Sequence, residues 1–544
     1  MDGLMMDFEL TLDAVLRRAE QHFFKKEIVT RLPDKSFHRY TYGDMAKRAK
    51  KLALALQRLG IQPGEAVGTF CWNHYQHFEA YFAIPVIGGI LHTLNLRLHP
   101  DDLEYIANDG KDQAIIFDES LLPLLKPFKD KIKAKHYIMI RSTDAALPEG
   151  MLDYEALLAA EDDAKFDYGK LNLREKQAAA TCYTSGTTGR PKGVLYSHRS
   201  MGLHAKAGAV GDVLDLRERD TVLPVVPMFH ANAWGIPYAA GMAGMKLVFP
   251  GPHLDPPSLL EDFEKEGVTV TAGVPTIWQG LLGVLDADPK KYDLSRLRNL
   301  IVGGSAVPVS LMKNMQDRHG LHITQAWGMT ELSPLGTISN LSSELLTKPE
   351  DVQYEYRAMQ GTPAPMVEIR ARGDEGMAPW DGKAMGELEV RGPWIASAYY
   401  NRPDAADRFT DDGWFKTGDI VTIDPTGYIK IQDRSKDLVK SGGEWISSVD
   451  LENAIMGHPA VAEAAVIAIP HPKWDERPLA CVVLKKGENA TEDDIKNYLA
   501  DKVAKWWIPD GAVFIDEVPK TSVGKFKKTE LRDRFQDYAA AKSS

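Results

Sequence analysis

A loop of small residues between two apolar segments constrains this chain more than any other feature. Residues 183–193 contain three glycines, four small hydroxyl residues and two cations. Apolar segments at 178–182 and 194–196 flank them, which predicts a flexible loop between two strands. Glycines let backbone N–H groups approach a polyanion, hydroxyls add donors, and Lys192 adds positive charge. We interpret the loop as a phosphate cradle.

Two known phosphate-binding patterns do not fit this loop. The Walker pattern requires a glycine directly before its lysine, and this chain has Pro191 there. The dinucleotide pattern G-x-G-x-x-G does not occur in the loop either. A linker that binds no ligand is the alternative interpretation.

The overall charge argues against one class of partner. The net charge is −11 and the sequence pI is about 5.8, whereas bulk nucleic-acid binding needs a basic face.

Three widely spaced cysteines fit a reducing compartment without a disulfide framework. The chain does not open with a signal-peptide pattern, and its longest apolar run, around residues 81–91, is too short to span a bilayer. We therefore expect a cytoplasmic protein without a transmembrane segment or a nucleic-acid partner.

Helices that alternate with short buried strands predict an α/β architecture. Thr41 has the spacing of a helix start, apolar residues recur as far as Leu56, and Gly60 is placed to end that helix. Short apolar segments between residues 67 and 304 read as strands with helices between them, which is typical of parallel sheets. After about residue 360, shorter alternating strands at residues 386–391, 419–422 and 428–431 predict a β-rich subdomain.

A small second domain is predicted after Asp433. At 544 residues the chain is too long for one core. We expect a large N-terminal body of stacked α/β sheets with the β-rich subdomain, residues 1–433, and a small mobile α+β lid, residues 434–544. The predicted lid elements are helices at 449–456 and 492–502 and strands at 461–469 and 479–485.

Four further stretches follow the loop along the chain, at residues 325–331, 411–419, 433–444 and 519–525. Together with the loop, they resemble the adenylate-forming, or AMP-binding, enzymes, which include acyl-CoA synthetases, peptide-synthetase adenylation domains and firefly-type luciferases. Residues 227–235 and 441–447 look most like those of bacterial medium- and long-chain fatty acyl-CoA synthetases.

The resemblance implies a two-step reaction with ATP, Mg²⁺ and coenzyme A. A carboxylate takes AMP from ATP and releases pyrophosphate, and the CoA thiol then displaces AMP to form a thioester. A fatty acid is the implied substrate, and a homodimer is also suggested. Three alternatives stay open: a CoA ligase for an aryl or short thioether acid, an adenylating enzyme that passes its acyl group to a carrier protein or to oxygen, and a ligand-sensing relic of the fold.

The resemblance also assigns roles to residues of this chain. Lys525 would bridge the carboxylate and the α-phosphate in the first step, Lys440 would serve the second step, and Lys436 would be the hinge of the lid. Thr184 and Glu331 would bind Mg²⁺. The implied nucleotide- and CoA-binding residues are Thr184, Ser185, Gly186, Thr187, Thr188, Gly189, Lys192, Gly304, Ser305, Ala306, Gln325, Ala326, Trp327, Gly328, Met329, Thr330, Asp419, Ile431, Arg434, Gly442, Gly443, Glu444 and Trp445.

Within this set, Trp327 would lie against the adenine, where the family more often has Tyr, and Asp419 would accept from both ribose hydroxyls. Trp234 would gate an acyl tunnel, and it shares a face with His230 if that segment is helical. The acyl-site residues implied are His230, Trp234, Val274 and Trp278.

Overall fold

The computed structural model describes residues 1, 3–184, 190–434, 436–441, 444–521, 526–536 and 538. In chain order the strands are β1 (Glu27–Arg31), β2 (Phe37–Thr41), β3 (Ala66–Phe70), β4 (Ile90–Thr93), β5 (Asp112–Asp118), β6 (His136–Ile140), β7 (Leu152–Asp153), β8 (Ala178–Tyr183), β9 (Gly193–Ser197), β10 (Thr221–Pro224), β11 (Lys246–Phe249), β12 (Val270–Gly273), β13 (Asn299–Val302), β14 (Ile323–Gly328), β15 (Leu335–Ile338), β16 (Thr362–Pro363), β17 (Glu368–Gly373), β18 (Gly376–Met377), β19 (Gly386–Arg391), β20 (Phe415–Ile423), β21 (Ile429–Arg434), β22 (Val439–Ser441), β23 (Glu444–Ile446), β24 (Val461–His471), β25 (Asp475–Leu484) and β26 (Gly511–Phe514).

The helices are α1 (Leu12–His22), α2 (Tyr42–Arg58), α3 (Tyr75–Val86), α4 (Pro100–Asp109), α5 (Leu122–Lys129), α6 (Tyr154–Ala159), α7 (His198–Gly208), α8 (Ala231–Trp234), α9 (Ile236–Ala243), α10 (Pro256–Glu266), α11 (Pro275–Ala287), α12 (Val309–His319), α13 (Glu350–Ala358), α14 (Ser448–Met456), α15 (Glu492–Leu499) and α16 (Lys528–Arg534). Short 3₁₀ helices lie at Glu119–Leu121, Asp163–Lys165, Tyr168–Lys170, Thr330–Leu332, Leu345–Thr347, Pro403–Arg408 and Lys505–Trp507. Within the described ranges, no helix combines the length and the apolar composition that crossing a membrane requires.

Two large sheets form the body of the protein. One has the strand order β16-β15-β14-β13-β12-β10-β11-β1-β2, and the other has the order β7-β6-β5-β3-β4-β8-β9. Their inner strands are parallel, whereas β2, β9, β15 and β16 pair antiparallel at the edges. Val67 of β3, Phe78 of α3 and Phe249 of β11 belong to one apolar core, so helices and both sheets share it. The predicted α/β class is confirmed.

Helix α2 illustrates how the sequence sets local structure. The Thr41 hydroxyl accepts the backbone N–H of Asp44 at 3.2 Å, and the Asp44 carboxylate accepts that of Thr41 at 3.1 Å. This reciprocal capping box fixes the start of the helix, as the spacing predicted. Gly60 adopts a left-handed φ of 92° just after the end of the helix, a conformation that costs other residues a steric clash.

The predicted β-rich subdomain is an antiparallel sheet in the order β18-β17-β19-β20-β21. The prediction that Asp419 starts a strand was wrong, because β20 already begins at Phe415. Phe415 and Thr417 are buried in alternation with their neighbours, and this period of two extends the strand upstream.

The C-terminal part has its own sheet, in which β24 and β25 form a long antiparallel pair and β26 runs parallel to β25. Helix α14 contacts β24 and also β21 of the body. The predicted helix at 492–502 is shorter, because α15 ends at Leu499. The boundary at residue 433 stays a prediction.

Candidate active site

A cavity of about 460 Å³ lies between the body and the C-terminal part. Its floor is formed where β10, β12, β13 and β14 end, and its other side includes Lys436, Glu452 and Lys528. In open α/β sheets, ligands bind at the carboxyl ends of parallel strands. The cavity is therefore placed where this architecture binds its ligands.

Residues from all the predicted motifs that the structure describes reach this cavity. The predicted residues that line it are Thr184, Lys192, His230, Trp234, Val274, Gly304, Ser305, Ala306, Gln325, Ala326, Trp327, Gly328, Met329, Thr330, Glu331, Asp419, Ile431, Arg434 and Lys436. Segments that are far apart in sequence thus meet at one concave surface.

Several predicted residues lie outside the described residues. These are Ser185, Gly186, Thr187, Thr188, Gly189, Gly442, Gly443 and Lys525, together with the side chain of Glu444. On either side of Lys525, the described residues Thr521 and Phe526 line the cavity.

Three predicted residues do not line the cavity. Trp278 is completely buried in a separate apolar core, and a Cβ added to Gly273 would lie 2.7 Å from its ring. Its indole therefore lies behind the cavity wall, and the expectation that it lines the acyl site is corrected. Lys440 and Trp445 are exposed and pack on each other, with the ammonium 5.4 Å from the ring centroid.

Asp419 is a buried carboxylate with both oxygens engaged. The indole N–H of Trp327 donates to Oδ2 at 2.9 Å, and Nε of Arg434 lies 2.7 Å from Oδ1. The ring of Trp327 packs against Gly336, where an added Cβ would lie 2.4 Å from the indole. Asp419 is only 2% exposed, so these two donors fix its orientation toward the cavity. Each oxygen keeps a lone pair that can accept a ligand hydroxyl.

Glu331 is the second buried carboxylate of the cavity. It is 5% exposed, and its Oε1 accepts the hydroxyl of Tyr399 at 2.5 Å. Burial raises the pKa of Tyr399, so this phenol stays a donor. Among the described residues, Glu331 forms no ion pair. A buried carboxylate without a positive partner is a suitable oxygen ligand for a hard cation.

The described ends of the phosphate loop are tied together. The Thr184 N–H donates to the carbonyl of Lys192 at 2.9 Å, and the Lys192 N–H donates to the Thr184 hydroxyl at 3.1 Å. The ammonium of Lys192 lies 5.4 Å from the ring of Tyr399, beside Glu331. The two described ends of the loop are therefore held together, and Lys192 reaches the tyrosine that contacts Glu331.

Gln325 shapes the wall that contains residues 304–306. Its Oε1 accepts the N–H of Val307 at 2.7 Å, and its amide N–H groups donate to the carbonyls of Ala358 and Met359 at 3.1 and 3.0 Å. These contacts use most of its hydrogen-bonding capacity, so Gln325 holds the wall in place. Gly304 has a φ of 92° in this wall.

The segment after His230 forms a left-handed helical turn. From Ala231 to Trp234 the φ angles are 43°, 52°, 47° and 55°, and Gly235 follows at 73°. The expectation that His230 and Trp234 share a face of an ordinary helix is therefore corrected. Trp234 is half-buried, and its indole lies over Gly303, where an added Cβ would be 3.0 Å away.

Sequence reasoning missed several residues of the cavity. Tyr399 is 68 residues from Glu331, and no spacing rule links the two. Gln360 lines the cavity and accepts the N–H of Ile431 at 2.6 Å, and Arg408 also lines it. These three residues are recognised as part of the cavity only when the fold is known.

A buried charged cluster joins the body to α14 and α16. Asp433 is 1% exposed and accepts the N–H of Ser448 at 2.9 Å. Lys528 forms an ion pair with Glu452 at 2.6 Å and also contacts the Ser448 hydroxyl. Burial raises the pKa of Glu452 to about 7, against the opposing effect of Lys528, and burial also raises the pKa of Asp433.

The fold places a cavity between a large body and a smaller C-terminal part. The AMP-binding enzyme family matches residues 16–400, and the AMP-binding enzyme C-terminal domain matches residues 450–525. The chain belongs to the AMP-binding enzyme family, and the prediction of an adenylate-forming enzyme is confirmed.

Similar proteins cover the chain from end to end. A long-chain-fatty-acid–CoA ligase of Thermus thermophilus is 47% identical over 98% of this chain and 97% of its own length. A 3-methylmercaptopropionyl-CoA ligase of Ruegeria lacuscaerulensis is 42% identical over 98% and 99%. The crystal structure of the anthranilate CoA ligase AuaEII with anthranoyl-AMP has a TM-score of 0.87 at 24% identity, covering 99% of this chain and all of that one. This last likeness supports the fold.

Proposed function

We propose that this enzyme is an ATP-dependent fatty acid–CoA ligase for medium- or long-chain acids. The observation that carries the proposal is a cavity in which the ends of the phosphate loop, two buried carboxylates and an apolar wall meet beneath the C-terminal domain. The two relatives at more than 40% identity, both CoA ligases, support the reaction type.

In the first step, the enzyme must hold two negatively charged groups together. Asp419 accepts from the ribose hydroxyls, since its carboxylate is already oriented by Trp327 and Arg434. Residues 184–192 hold the β- and γ-phosphates, and Thr330 contacts the α-phosphate. Lys525 neutralises the repulsion between the acyl carboxylate and the α-phosphate while the new bond forms.

Glu331 and Thr184 are the proposed ligands of Mg²⁺. Both present oxygen atoms, which this cation prefers, and the uncompensated burial of Glu331 fits a site for positive charge. When bound, Mg²⁺ neutralises phosphate charge. Tyr399 keeps one oxygen of Glu331 in place.

The second step needs a different face of the lid. Thr521, Phe526 and Lys528 line the cavity, whereas Lys440 and Trp445 do not. The presence of Thr521 and Phe526 at the cavity suits adenylate formation. We propose that the lid, residues 434–544, rotates at Lys436 to bring Lys440 and Gly442-Gly443 to the acyl-AMP, where CoA attacks.

The acyl chain lies against the apolar side of the cavity. Leu214, Val226, Trp234, Val274 and Ile277 line that side. Each CH₂ group buried there contributes about 0.8 kcal/mol, so the depth of the site sets the preferred chain length. An aryl or short thioether acid is the second candidate, and the thioether acid is favoured by the relative at 42% identity. Transfer to a carrier protein is a further alternative.

The test is release of AMP and pyrophosphate with ATP, Mg²⁺ and CoA across C2 to C18 fatty acids, aryl acids and 3-methylmercaptopropionate. We expect the highest kcat/KM with a medium- or long-chain acid. Lys525→Ala should abolish acid-dependent pyrophosphate release, whereas Lys505→Ala, an exposed lysine of the lid, should not. If no acid gives product, the ligase proposal fails; if AMP forms only with a carrier protein, the CoA assignment fails.

We also propose that the enzyme is a cytoplasmic homodimer. The location is supported by the three buried free cysteines, and the dimer by the family resemblance alone. Light scattering of the purified protein measures the second of these directly.

A further inference from the structure

The turn that carries Trp234 has an unusual backbone. Five consecutive residues, from Ala231 to Gly235, have φ angles between 43° and 73°. L-residues avoid the left-handed helical conformation because Cβ approaches the following carbonyl oxygen, and four of these five residues carry a Cβ. Such a segment persists only where its surroundings hold it in place.

Asn232 is the residue of the turn with a specific anchor. It is completely buried, and its Oδ1 accepts the thiol of Cys182 at 2.6 Å. The sulfur also lies 3.2 Å from the hydroxyl of Thr93. Burial raises the pKa of Cys182 to about 11, so the thiol remains a protonated donor. Asparagine also tolerates the left-handed region better than other residues with a Cβ.

His204 holds the other end of the turn. A Cβ added to Gly235 would lie 2.5 Å from its Nδ1, so the imidazole fills the space that this glycine leaves. The Nε2 atom accepts the N–H of Leu335 at 3.2 Å. Burial lowers the pKa of His204 to about 3, so the ring is a neutral acceptor.

Both anchors lead to the nucleotide side of the cavity. Cys182 lies in β8, two residues before Thr184 at the start of the phosphate loop. His204 lies in α7, the helix that follows the loop and β9, and it contacts Leu335 four residues after Glu331. The turn itself places Trp234 over Gly303 in the cavity wall. Contacts through Cys182 and His204 therefore connect the acyl side of the cavity, at Trp234, with the nucleotide side, at Thr184 and Glu331.

We propose that Asn232 is a positioning residue for the acyl substrate. Its hydrogen bond from Cys182 holds the left-handed turn, and the turn fixes Trp234 at the acyl side of the cavity. Affinity for the acid is thereby linked to the strand that enters the phosphate loop. The inference rests on the proposed function, because it names a determinant of acid binding in the same site.

The experiment compares four variants in acid-dependent pyrophosphate release. Asn232→Ala removes the anchor and the tolerance of left-handed backbone, whereas Asn232→Gly removes the anchor alone. Cys182→Ala removes the donor, and Cys182→Ser replaces the thiol with a hydroxyl donor. We expect Asn232→Ala and Cys182→Ala to raise the KM for the acid about tenfold, the effect of one hydrogen bond, with kcat and the KM for ATP changed less than about twofold. Cys182→Ser should restore most of the affinity.

Cys71→Ala is the matched control. Cys71 is also completely buried in the body, and its thiol donates to the Ile116 carbonyl at 3.5 Å. This variant loses the same atoms without touching the turn, so the KM for the acid should stay unchanged. The double variant of Asn232→Gly with Cys182→Ala should cost no more than the larger single effect, because both remove one bond.

An unchanged KM for the acid in Asn232→Ala and Cys182→Ala would overturn the inference. An equal loss for acid and ATP, matched by Cys71→Ala, would also overturn it, since that pattern reports only weakened folding. A readout without turnover separates this from failure of the ligase proposal. The difference in fluorescence between each protein and its Trp234→Phe partner reports the indole environment, and it should shift in Cys182→Ala and not in Cys71→Ala.

Discussion

Replacing Trp327 by Phe should weaken ATP binding through Asp419. The substitution keeps an aromatic ring beside Gly336 but deletes the N–H that donates to Oδ2 at 2.9 Å. Arg434 then remains as the other side-chain donor, on Oδ1 at 2.7 Å. The carboxylate is 2% exposed, so water replaces the lost donor poorly.

The magnitude follows from the charge on the acceptor. A hydrogen bond to a charged group contributes about 1.5–3 kcal/mol, which corresponds to about 10- to 150-fold in a binding constant. Arg434 still orients the carboxylate, so we expect the lower end, about a tenfold higher KM for ATP. The kcat should fall less, because the lost hydrogen bond acts at the ribose hydroxyls and not at the α-phosphorus, where the new bond forms. Initial rates of pyrophosphate release at varied ATP and saturating acid measure both constants.

Trp394→Phe is the control for this prediction. Trp394 is also buried and donates its indole N–H at 2.9 Å, but to the neutral carbonyl of Leu335. Both variants should lower the melting temperature by a few degrees, and only Trp327→Phe should raise the KM for ATP. If both variants leave that KM within twofold of the wild-type value, the proposed coupling of Trp327 to the ribose acceptor is wrong.

Three other variants test separate parts of the structure. Lys528→Met should destabilise the protein by about 3 kcal/mol at pH 8, and less at pH 5, in urea unfolding. The reason is that Glu452, with a pKa raised from 4.5 to about 7, is protonated in the folded state at pH 5 and ionised at pH 8. Its proton stabilises the folded state at low pH, and this stabilisation is lost as the pH rises to about 7. Only above that pH does the loss of Lys528 leave a buried charge without its partner. Tyr399→Phe should raise the Mg²⁺ concentration for half-maximal activity a fewfold, because Glu331 loses its hydrogen bond; an unchanged Mg²⁺ titration would contradict this. Lys436→Pro fixes φ and should impair thioester formation more than adenylation, and equal loss in assays of the two half-reactions would contradict the hinge.

Short-range patterns in the sequence predicted the elements whose causes are local. The capping box of Thr41 and Asp44 fixes the start of α2, and both of its residues lie within one turn. The alternation of helices with apolar strands likewise indicated parallel sheets, because burial on both faces leaves a continuous apolar run in each strand. Motif order then indicated which segments meet at the strand ends, and the residues described there line one cavity.

Features that depend on distant contacts could not be predicted in the same way. The left-handed turn has Gly235 as its only glycine, and its hand depends on Cys182 and His204, which are distant in sequence. Trp278 lies close in sequence to acyl-site residues, yet Gly273 lets its ring pack behind the wall. Tyr399 contacts Glu331 although 68 residues separate them in sequence, so their proximity depends on the tertiary fold. In each case a tertiary contact decides where the side chain points.

Strand β21 connects the proposed nucleotide site with the C-terminal part. Arg434 at its end contacts Asp419, the proposed ribose acceptor, while the preceding residue, Asp433, accepts the N–H of Ser448 at the N-terminus of α14. Neighbouring residues of a strand point to opposite faces, so one short segment serves both contacts. Because Asp433 precedes Lys436, a rotation at that hinge would leave Asp433 in the body and carry Ser448 away. The proposed rotation of the lid would therefore break the hydrogen bond between Asp433 and Ser448, next to the Arg434 that orients Asp419.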